Sequence, residues 1–219
     1  MISNISENFL ETRRTARYFT AGNAESARHV VYLLHGYGHS AAQMLERLSP
    51  ALPAAFVVAP EGLSRYYKEG YNGRVGASWM TKESREQEIS DYIFYLDHLH
   101  RHLFPGQSPP VTILGFSQGA STAARWAALG KVQPQLLILW GGKLPPDLPD
   151  NAISKLLKNT ALHYITGTED QFVTPDVLSN EKERLEKLGV SFNLFNYETG
   201  HKFELKVLAS FLEKNPLYG

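Results

Sequence analysis

A serine lies between two glycines at the end of an apolar segment, in the sequence Gly115-Phe-Ser-Gln-Gly119. The preceding residues, 111–114, have the composition of a buried strand, and small residues typical of a helix follow. This is the G-x-S-x-G pattern, in which a sharp turn from strand to helix exposes the serine hydroxyl. Side chains at the two glycine positions are expected to clash with the following helix. We therefore predict that Ser117 is a nucleophile.

A serine hydroxyl needs a general base, usually a histidine that a carboxylate orients. In chains with this turn the order along the sequence is serine, acid, histidine. His201 follows Gly200, between a predicted strand and the last predicted helix, and is the candidate base. The other histidine after Ser117 is His163, which lies inside a predicted strand and is expected to pack there.

Asp170 is the candidate acid, because Gly167-Thr-Glu-Asp170 directly follows a predicted strand. Asp170 and His201 then both lie past the carboxyl ends of strands, where sites in open α/β sheets form. The competing carboxylates are Glu169, Asp176, Asp147 and Asp150. The sequence places Asp176 in the first turn of a helix, and it places the last two after the preceding strand.

An oxyanion hole is the third requirement of this chemistry. The sequence His35-Gly-Tyr-Gly38 follows the predicted strand at 29–34, and its glycines let the backbone approach a substrate carbonyl. One donor is expected from the residue after the nucleophile and one from this early loop. We predict that the backbone N–H groups of Gln118 and Tyr37 are the two donors.

Short apolar segments predict the strands that position these residues. They are 29–34, 55–59, 111–114, 136–140, 162–166 and 192–197. Several show no alternation, as is typical of strands buried on both faces. A weakly alternating segment, 12–20, is a candidate edge strand. The helical patterns between the strands cover a long segment after Thr81 and residues 120–129, 174–189 and about 202–213. This alternation predicts an α/β fold with a mostly parallel, doubly wound sheet.

Composition excludes several classes of function. The 219 residues favour a single domain over residues 1–219, and the 22 basic residues balance the 22 acidic ones, which argues against a nucleic-acid partner. The absence of cysteine excludes disulfides, thiolate metal sites and a cysteine nucleophile. Residues 1–20 lack the order of a signal peptide, and no apolar run reaches the roughly 18 residues of a membrane helix. We expect a soluble, cytoplasmic protein without a membrane span.

Neither a metal nor a cofactor is expected. His98 and His102 share a helix face at the i, i+4 spacing, but nothing nearby resembles HExxH, and a helix C-terminus favours histidines on electrostatic grounds. No Walker loop or G-x-G-x-x-G sequence opens a helix. Residues 61–79 lack a clear period and are expected to form a long loop that carries several tyrosines and Trp79.

With these residues in place, the sequence resembles the phospholipase/carboxylesterase family of α/β-hydrolases, which includes the acyl-protein thioesterases. The resemblance extends from about Val30 to Phe203. HGYG matches the family's HGxG, GFSQGA its GFSQGG, residues 167–170 its G-x-x-D, and residues 200–201 its G-H. The resemblance implies a compact α/β-hydrolase fold without a large cap domain, and a serine hydrolase that acts on small acyl esters or thioesters.

Three segments depart from the family pattern. After Asp170, Gln-Phe-Val-Thr-Pro is one residue longer than the family's usual approach to the proline. His39 follows Gly38 where family members often have aspartate, and Trp79-Met-Thr stands where the family has Trp-Phe-Asp. Because the family's segment lines the acyl site, the resemblance implies a substrate-binding role for Trp79.

Two functions from different classes are compatible with this reading. The first is a serine esterase or thioesterase, in which Ser117, His201 and Asp170 act together. The second is a non-catalytic protein of the same fold that binds a ligand in the equivalent cleft, because a fold alone does not imply a function. The complete set of three residues favours the enzyme.

Overall fold

The structure is a computed structural model that describes residues 5–217. Two predictions extend outside these residues, since the N-terminal segment without a signal peptide includes residues 1–4 and the single domain over 1–219 also includes residues 218–219. The strands are β1 (Tyr18–Ala21), β2 (Val30–Leu34), β3 (Phe56–Pro60), β4 (Ser64–Glu69), β5 (Asn72–Ser78), β6 (Val111–Phe116), β7 (Leu136–Trp140), β8 (Ala161–Gly167) and β9 (Asn193–Tyr197). The α-helices are α1 (Ala41–Leu48), α2 (Arg85–Leu103), α3 (Gln118–Leu129), α4 (Asp150–Leu157), α5 (Pro175–Lys187) and α6 (Leu205–Lys214).

Seven strands form the main sheet in the order β1-β3-β2-β6-β7-β8-β9. All neighbouring pairs are parallel except β1 with β3. This confirms the predicted α/β class with a mostly parallel sheet. The edge strand covers only Tyr18–Ala21, a shorter and later segment than the predicted 12–20. Within the described chain, no helix combines the length and hydropathy needed to span a membrane.

Helices cover both faces of this sheet. On one face, α1 and α6 pack their apolar residues, such as Met44 and Phe211, against Val31, Leu33 and Ile138. On the other face, α2, α3, α4 and α5 pack against the alternate residues of the same strands. The central strands β2, β3 and β6 are therefore buried along their whole length, which explains their continuous apolar sequences.

Two helices of eight residues, α1 and α4, were not predicted from the sequence. The larger difference lies in residues 61–79, where the prediction of a loop is wrong. This segment contains β4 and β5, which pair with each other as an antiparallel hairpin outside the main sheet. Most of its side chains are exposed, so the hairpin has no continuous apolar face that a periodic pattern could reveal.

The hairpin packs against the loop that follows β2. Gly38 N–H donates to the Ala77 carbonyl at 2.8 Å, and Ala77 N–H donates to the His39 carbonyl at 3.1 Å. A Cβ at Gly76 would lie 2.6 Å from the carbonyl oxygen of Gly38 and 2.8 Å from its Cα. The two backbones can therefore approach this closely only if residue 76 is glycine.

We predict that Gly76→Ala lowers the free energy of unfolding by about 1–3 kcal/mol, because the added methyl group meets backbone atoms that cannot rotate away. Denaturant unfolding measures this change. Gly106→Ala is the matched control, since a Cβ there meets nothing within 4 Å. Equal stabilities of the two variants would show that the hairpin does not constrain the loop.

Candidate active site

Ser117 lies at the turn between β6 and α3. Its backbone has φ 56° and ψ −117°, a positive φ that is uncommon for a residue with a side chain and is energetically unfavourable. The Ser117 N–H donates to the Trp140 carbonyl at 2.9 Å, which fixes the turn to the end of β7. The serine side chain is therefore held at the carboxyl edge of the sheet by its own backbone conformation.

The two glycines of the motif allow two different close approaches of the backbone. A Cβ at Gly115 would lie 2.1 Å from the Gly119 carbonyl oxygen, in α3, which is the clash expected from the sequence. A Cβ at Gly119 would instead lie 2.1 Å from the Leu34 carbonyl oxygen, at the end of β2. The start of α3 is thus pressed against β2 as well as β6.

Asp170 and His201 form a hydrogen-bonded pair. His201 Nδ1–H donates to Asp170 Oδ2 at 2.8 Å. The other carboxylate oxygen of Asp170 accepts the N–H groups of Phe172 at 2.8 Å and Val173 at 3.2 Å. Because both oxygens are satisfied, the carboxylate is fixed, and the imidazole is held with Nε2 free to accept a proton.

Backbone hydrogen bonds join the loops that carry this pair. Thr168 N–H donates to the Tyr197 carbonyl at 2.9 Å, and Glu169 N–H donates to the Thr199 carbonyl at 3.1 Å. These bonds extend the parallel pairing of β8 and β9 past the ends of the strands. The distance between Asp170 and His201 is therefore set by the sheet itself.

The His201 ring lies between two aromatic side chains. Its centroid is 4.8 Å from that of Phe116, which precedes Ser117, and 4.7 Å from that of Phe172. A Cβ at Gly141, just after β7, would lie 2.9 Å from His201 Cε1. Glycine at this position lets β7 end directly against the imidazole.

Phe116 connects Ser117 to His201, because it directly precedes the serine and its ring packs against the imidazole. Within residues 5–217 no hydrogen bond joins the serine hydroxyl to the imidazole, whereas the Asp170–His201 bond is formed. Hydrogen bonds to a nucleophile are often long in unliganded enzymes and shorten when substrate binds.

Both predicted oxyanion donors lie beside this turn. Gln118 is the first residue of α3, so its N–H has no partner in the helix. Tyr37 lies in the loop after β2, and neither its N–H nor that of Gln118 donates a hydrogen bond to any other described residue. The loop is packed onto the turn through His39, whose ring is stacked on Phe116 at 5.6 Å.

The Gln118 side chain makes contacts that the sequence did not reveal. Its Oε1 accepts the Trp79 N–H at 3.1 Å, and its Nε2–H donates to the Met80 carbonyl at 2.7 Å. Gln118 therefore ties the end of β5 to the start of α3. An amide side chain suits this position because it offers a donor and an acceptor together.

Trp79 is almost fully buried, with 2% of its surface exposed. Its Nε1–H donates to the His35 carbonyl at 2.8 Å, and its ring is stacked on the His35 ring at 5.1 Å. Through these contacts with His35, the buried indole stabilises the loop that contains Tyr37. The substrate contact predicted for Trp79 stays a prediction.

His35 is a buried, neutral histidine. The Gly62 N–H donates to its Nε2 at 3.0 Å, so the proton lies on Nδ1, which donates to the Gly36 carbonyl at 2.8 Å. Burial lowers the pKa of His35 to about 4. The loop after β2 therefore depends on the uncharged form of this ring.

The carboxylates that compete with Asp170 have other partners or positions. Asp147 pairs with the buried Arg125 at 2.7 Å and with Arg85, and the Arg125 hydrogen bond lowers the pKa of Asp147 to about 2. Asp150 pairs with Arg184 at 2.9 Å.

Asp176 lies in the first turn of α5, as its sequence position indicated. Glu169 is exposed and adjacent to Asp170. The competing histidine, His163, lies inside β8, where its ring packs edge-on against Phe211 of α6 at 5.3 Å.

No group of three or more His, Cys, Asp or Glu side chains in residues 5–217 could hold a metal ion. His98 and His102 lie in the last two turns of α2, where the centroid of the His98 ring is 6.1 Å from that of the Phe94 ring.

The sequence analysis missed several contacts that shape this site: those of the His35 ring, the close backbone approach at Gly76, the position of Gly141 against His201, and the hydrogen bonds of the Gln118 side chain. Only Gly141 carried a usable signal, since a glycine pair directly follows the predicted strand 136–140. The others act through the hairpin, which was not predicted.

Comparison with known proteins assigns the family. The sequence model of the phospholipase/carboxylesterase family matches residues 17–215, almost the whole chain. The chain belongs to this family. The resemblance inferred from the motifs is thereby confirmed, and with it an α/β-hydrolase fold of the esterase and thioesterase type. A comparison with curated protein sequences gave no significant match.

Solved structures of two esterases and an acyl-protein thioesterase are similar to this chain over most of their length. Esterase PE8 is 20% identical, with a TM-score of 0.66 over 92% of this chain and 99% of its own. Acyl-protein thioesterase 2 of Zea mays is 19% identical, with a TM-score of 0.66 and the same coverage. The Bacillus cereus carboxylesterase is 16% identical, with a TM-score of 0.69 over 91% of this chain and 92% of its own. At these identities the likeness shows the fold.

We predict that acid destabilises this hydrolase through His35. Its pKa is about 4 in the folded chain and about 6.5 in the unfolded chain, so the unfolded chain binds the proton first as the pH falls. The free energy of unfolding should fall by up to about 3 kcal/mol between pH 6.5 and pH 4 from this group. Burial lowers the pKa of His29, His100 and His163 as well, which adds to the same trend.

Denaturant unfolding across this pH range measures the slope, and His35→Gln should reduce it whatever its stability at neutral pH. His98→Gln, at an exposed position, is the control. An unchanged slope in His35→Gln would contradict the assignment.

Proposed function

We propose that this protein is a serine hydrolase that cleaves carboxylic ester or thioester bonds of small acyl substrates through an acyl-enzyme intermediate. The observation that carries the proposal is the Asp170–His201 hydrogen bond of 2.8 Å, located at the same edge of the sheet as Ser117, which has a φ of 56° at the turn from strand to helix. Family membership supports an esterase or thioesterase reaction.

In the acylation step, Ser117 Oγ attacks the acyl carbonyl carbon while His201 Nε2 accepts the hydroxyl proton. The carbonyl oxygen becomes an oxyanion, which the N–H groups of Tyr37 and Gln118 stabilise. These donors suit the task because their N–H groups have no other partner among residues 5–217. His201 then gives its proton to the leaving alcohol or thiol as the bond to the acyl carbon breaks.

In the deacylation step, water attacks the acyl group on Ser117, with His201 again as the general base. The acid is released and the serine hydroxyl regains its proton from His201. Apart from the substrate and this water, neither step uses a group from outside the chain, so the proposal includes no cofactor.

Asp170 acts by holding the imidazole. Its Oδ2 accepts the proton on Nδ1, which keeps Nε2 available as the base and stabilises the imidazolium that forms. We assign Trp79 and the Gln118 side chain a positioning role, because they fix the loop after β2 and the start of α3 relative to each other.

Fluorophosphonate treatment should add one label, and peptide mass spectrometry should locate it on Ser117. Ser117→Ala should abolish both labelling and ester hydrolysis with little change in stability, because the hydroxyl makes no hydrogen bond within the described chain. Ser121→Ala, one turn along α3, is the matched control and should keep both. Failure of the wild type to label would favour a non-catalytic ligand-binding protein.

Asp170→Asn should lower catalytic activity, whereas Asp147→Asn should lower stability. The first should lower kcat by up to about 10⁴-fold, since asparagine favours the wrong imidazole tautomer. The second should instead lower the free energy of unfolding by about 1–2 kcal/mol, because it leaves the buried Arg125 without an anion; the partial exposure of Asp147 keeps this loss small.

Steady-state kinetics and denaturant unfolding of the same two variants measure both effects. Glu169→Gln, next to Asp170, is the control for general changes of charge and should alter neither property. A larger loss of kcat in Glu169→Gln or Asp147→Asn than in Asp170→Asn would identify a different acid.

A further inference from the structure

A cleft of about 560 Å³ opens beside His201, between α1 and the loop before α6. The residues that line it are His39, Ser40, Gln43, Glu46, Arg47, Phe116, His201, Lys202 and Phe203. Its volume is within the range of small-molecule sites. In the proposed reaction His201 protonates the leaving group, so a cleft that His201 lines is suited to the alcohol or thiol portion of the substrate.

Positive charge prevails in this cleft. Arg47 and Lys202 line it, against the single carboxylate of Glu46. Lys68, on the hairpin, lies close by, since a Cβ at Gly38 would be 3.9 Å from its Nζ. Within residues 5–217, no carboxylate oxygen lies within 4.0 Å of the side-chain nitrogens of these three cations.

The positive charges around the cleft also affect the pKa of His39. Its pKa is lowered first by burial and then by the charges of Lys68, His201 and Arg47. Where family members often have aspartate, this chain thus has a histidine surrounded by cations.

Arg47 is held at the outer part of the cleft by an aromatic ring. Its guanidinium carbon lies 5.2 Å from the centroid of Phe203. The Phe203 ring is 5.0 Å from Phe116, which in turn is 4.8 Å from His201. A guanidinium stacked in this way keeps N–H donors free at its edge, and its planar fork matches a carboxylate.

We propose that the cleft binds a carboxylate on the leaving group of the substrate, through Arg47 and Lys202. The inference rests on the proposed ester hydrolysis at Ser117 and names its substrate class: esters or thioesters whose alcohol or thiol portion carries a carboxylate. Phe116 and Phe203 provide the apolar surface for the carbon atoms between that carboxylate and the ester bond.

The test compares two butyrate esters, one of hydroxyphenylpropionate and one of hydroxyphenylpropionamide. Their phenols are equally reactive and differ only in the remote charge. The measured quantity is the ratio of kcat/KM for the anionic ester to kcat/KM for the neutral ester. We expect the wild type to favour the anionic ester, and we expect added salt to reduce the ratio because the cations are exposed.

Arg47→Gln combined with Lys202→Gln should lower this ratio by about tenfold, mainly through KM, as expected for the loss of two partly exposed charge contacts. Arg47→Lys keeps the charge and should retain most of the ratio. Lys155→Gln is a control for the loss of a positive charge elsewhere, since it removes one exposed charge from α4, on the opposite face of the sheet, and should leave the ratio unchanged.

A wild-type ratio near one, or a ratio that the double variant does not lower, would overturn the carboxylate site. Turnover of neither ester by a protein that still takes a fluorophosphonate label on Ser117 would overturn it too. Turnover of neither ester together with no labelling would instead overturn the proposed hydrolase function.

Discussion

The close approach of α3 to the end of β2 is the constraint on which the rest of the site depends. A Cβ at Gly119 would lie 2.1 Å from the Leu34 carbonyl oxygen, so these backbones touch without any intervening side chain. This contact brings the N–H of Gln118 next to the loop that contains Tyr37. It also forces the tight turn at Ser117, whose positive φ is stabilised by the surrounding sheet and not by local preference.

The other half of the site is positioned by the parallel pairing of strands. Because β7, β8 and β9 lie side by side and end at the same edge, the residues that follow them meet there. Backbone hydrogen bonds between the loops after β8 and β9 continue the pairing as far as Glu169 and Thr199. A hydrogen bond between Asp170 and His201 follows from this geometry, although 31 residues separate them in the sequence.

The sequence predicted the buried strands well, because strands covered on both faces have continuous apolar sequences between glycines and polar loops. The same strands located Ser117, Asp170 and His201 at their carboxyl ends. The hairpin could not be predicted in this way. Its strands form a separate two-stranded sheet and expose most of their side chains, so residues 64–78 carry no periodic apolar signal.

The contacts that depend on the hairpin were missed for the same reason. Trp79 illustrates this: the resemblance implied a substrate-binding role, but nothing in the sequence showed that its indole packs against His35 and that its backbone N–H binds Gln118. The cationic character of the cleft was equally hidden, because Arg47, Lys202 and Lys68 come from three separate segments that only the folded chain brings together.

In the proposed mechanism His201 acts at Ser117 Oγ, and the two backbone donors act on the oxygen of the group bound to that atom. A crystal structure of the fluorophosphonate adduct tests this most directly. We expect the phosphoryl oxygen within about 2.7–3.1 Å of the backbone nitrogens of Tyr37 and Gln118, with His201 Nε2 close to Ser117 Oγ. A phosphoryl oxygen that points away from both N–H groups, or a His201 ring turned away from Asp170, would contradict the account.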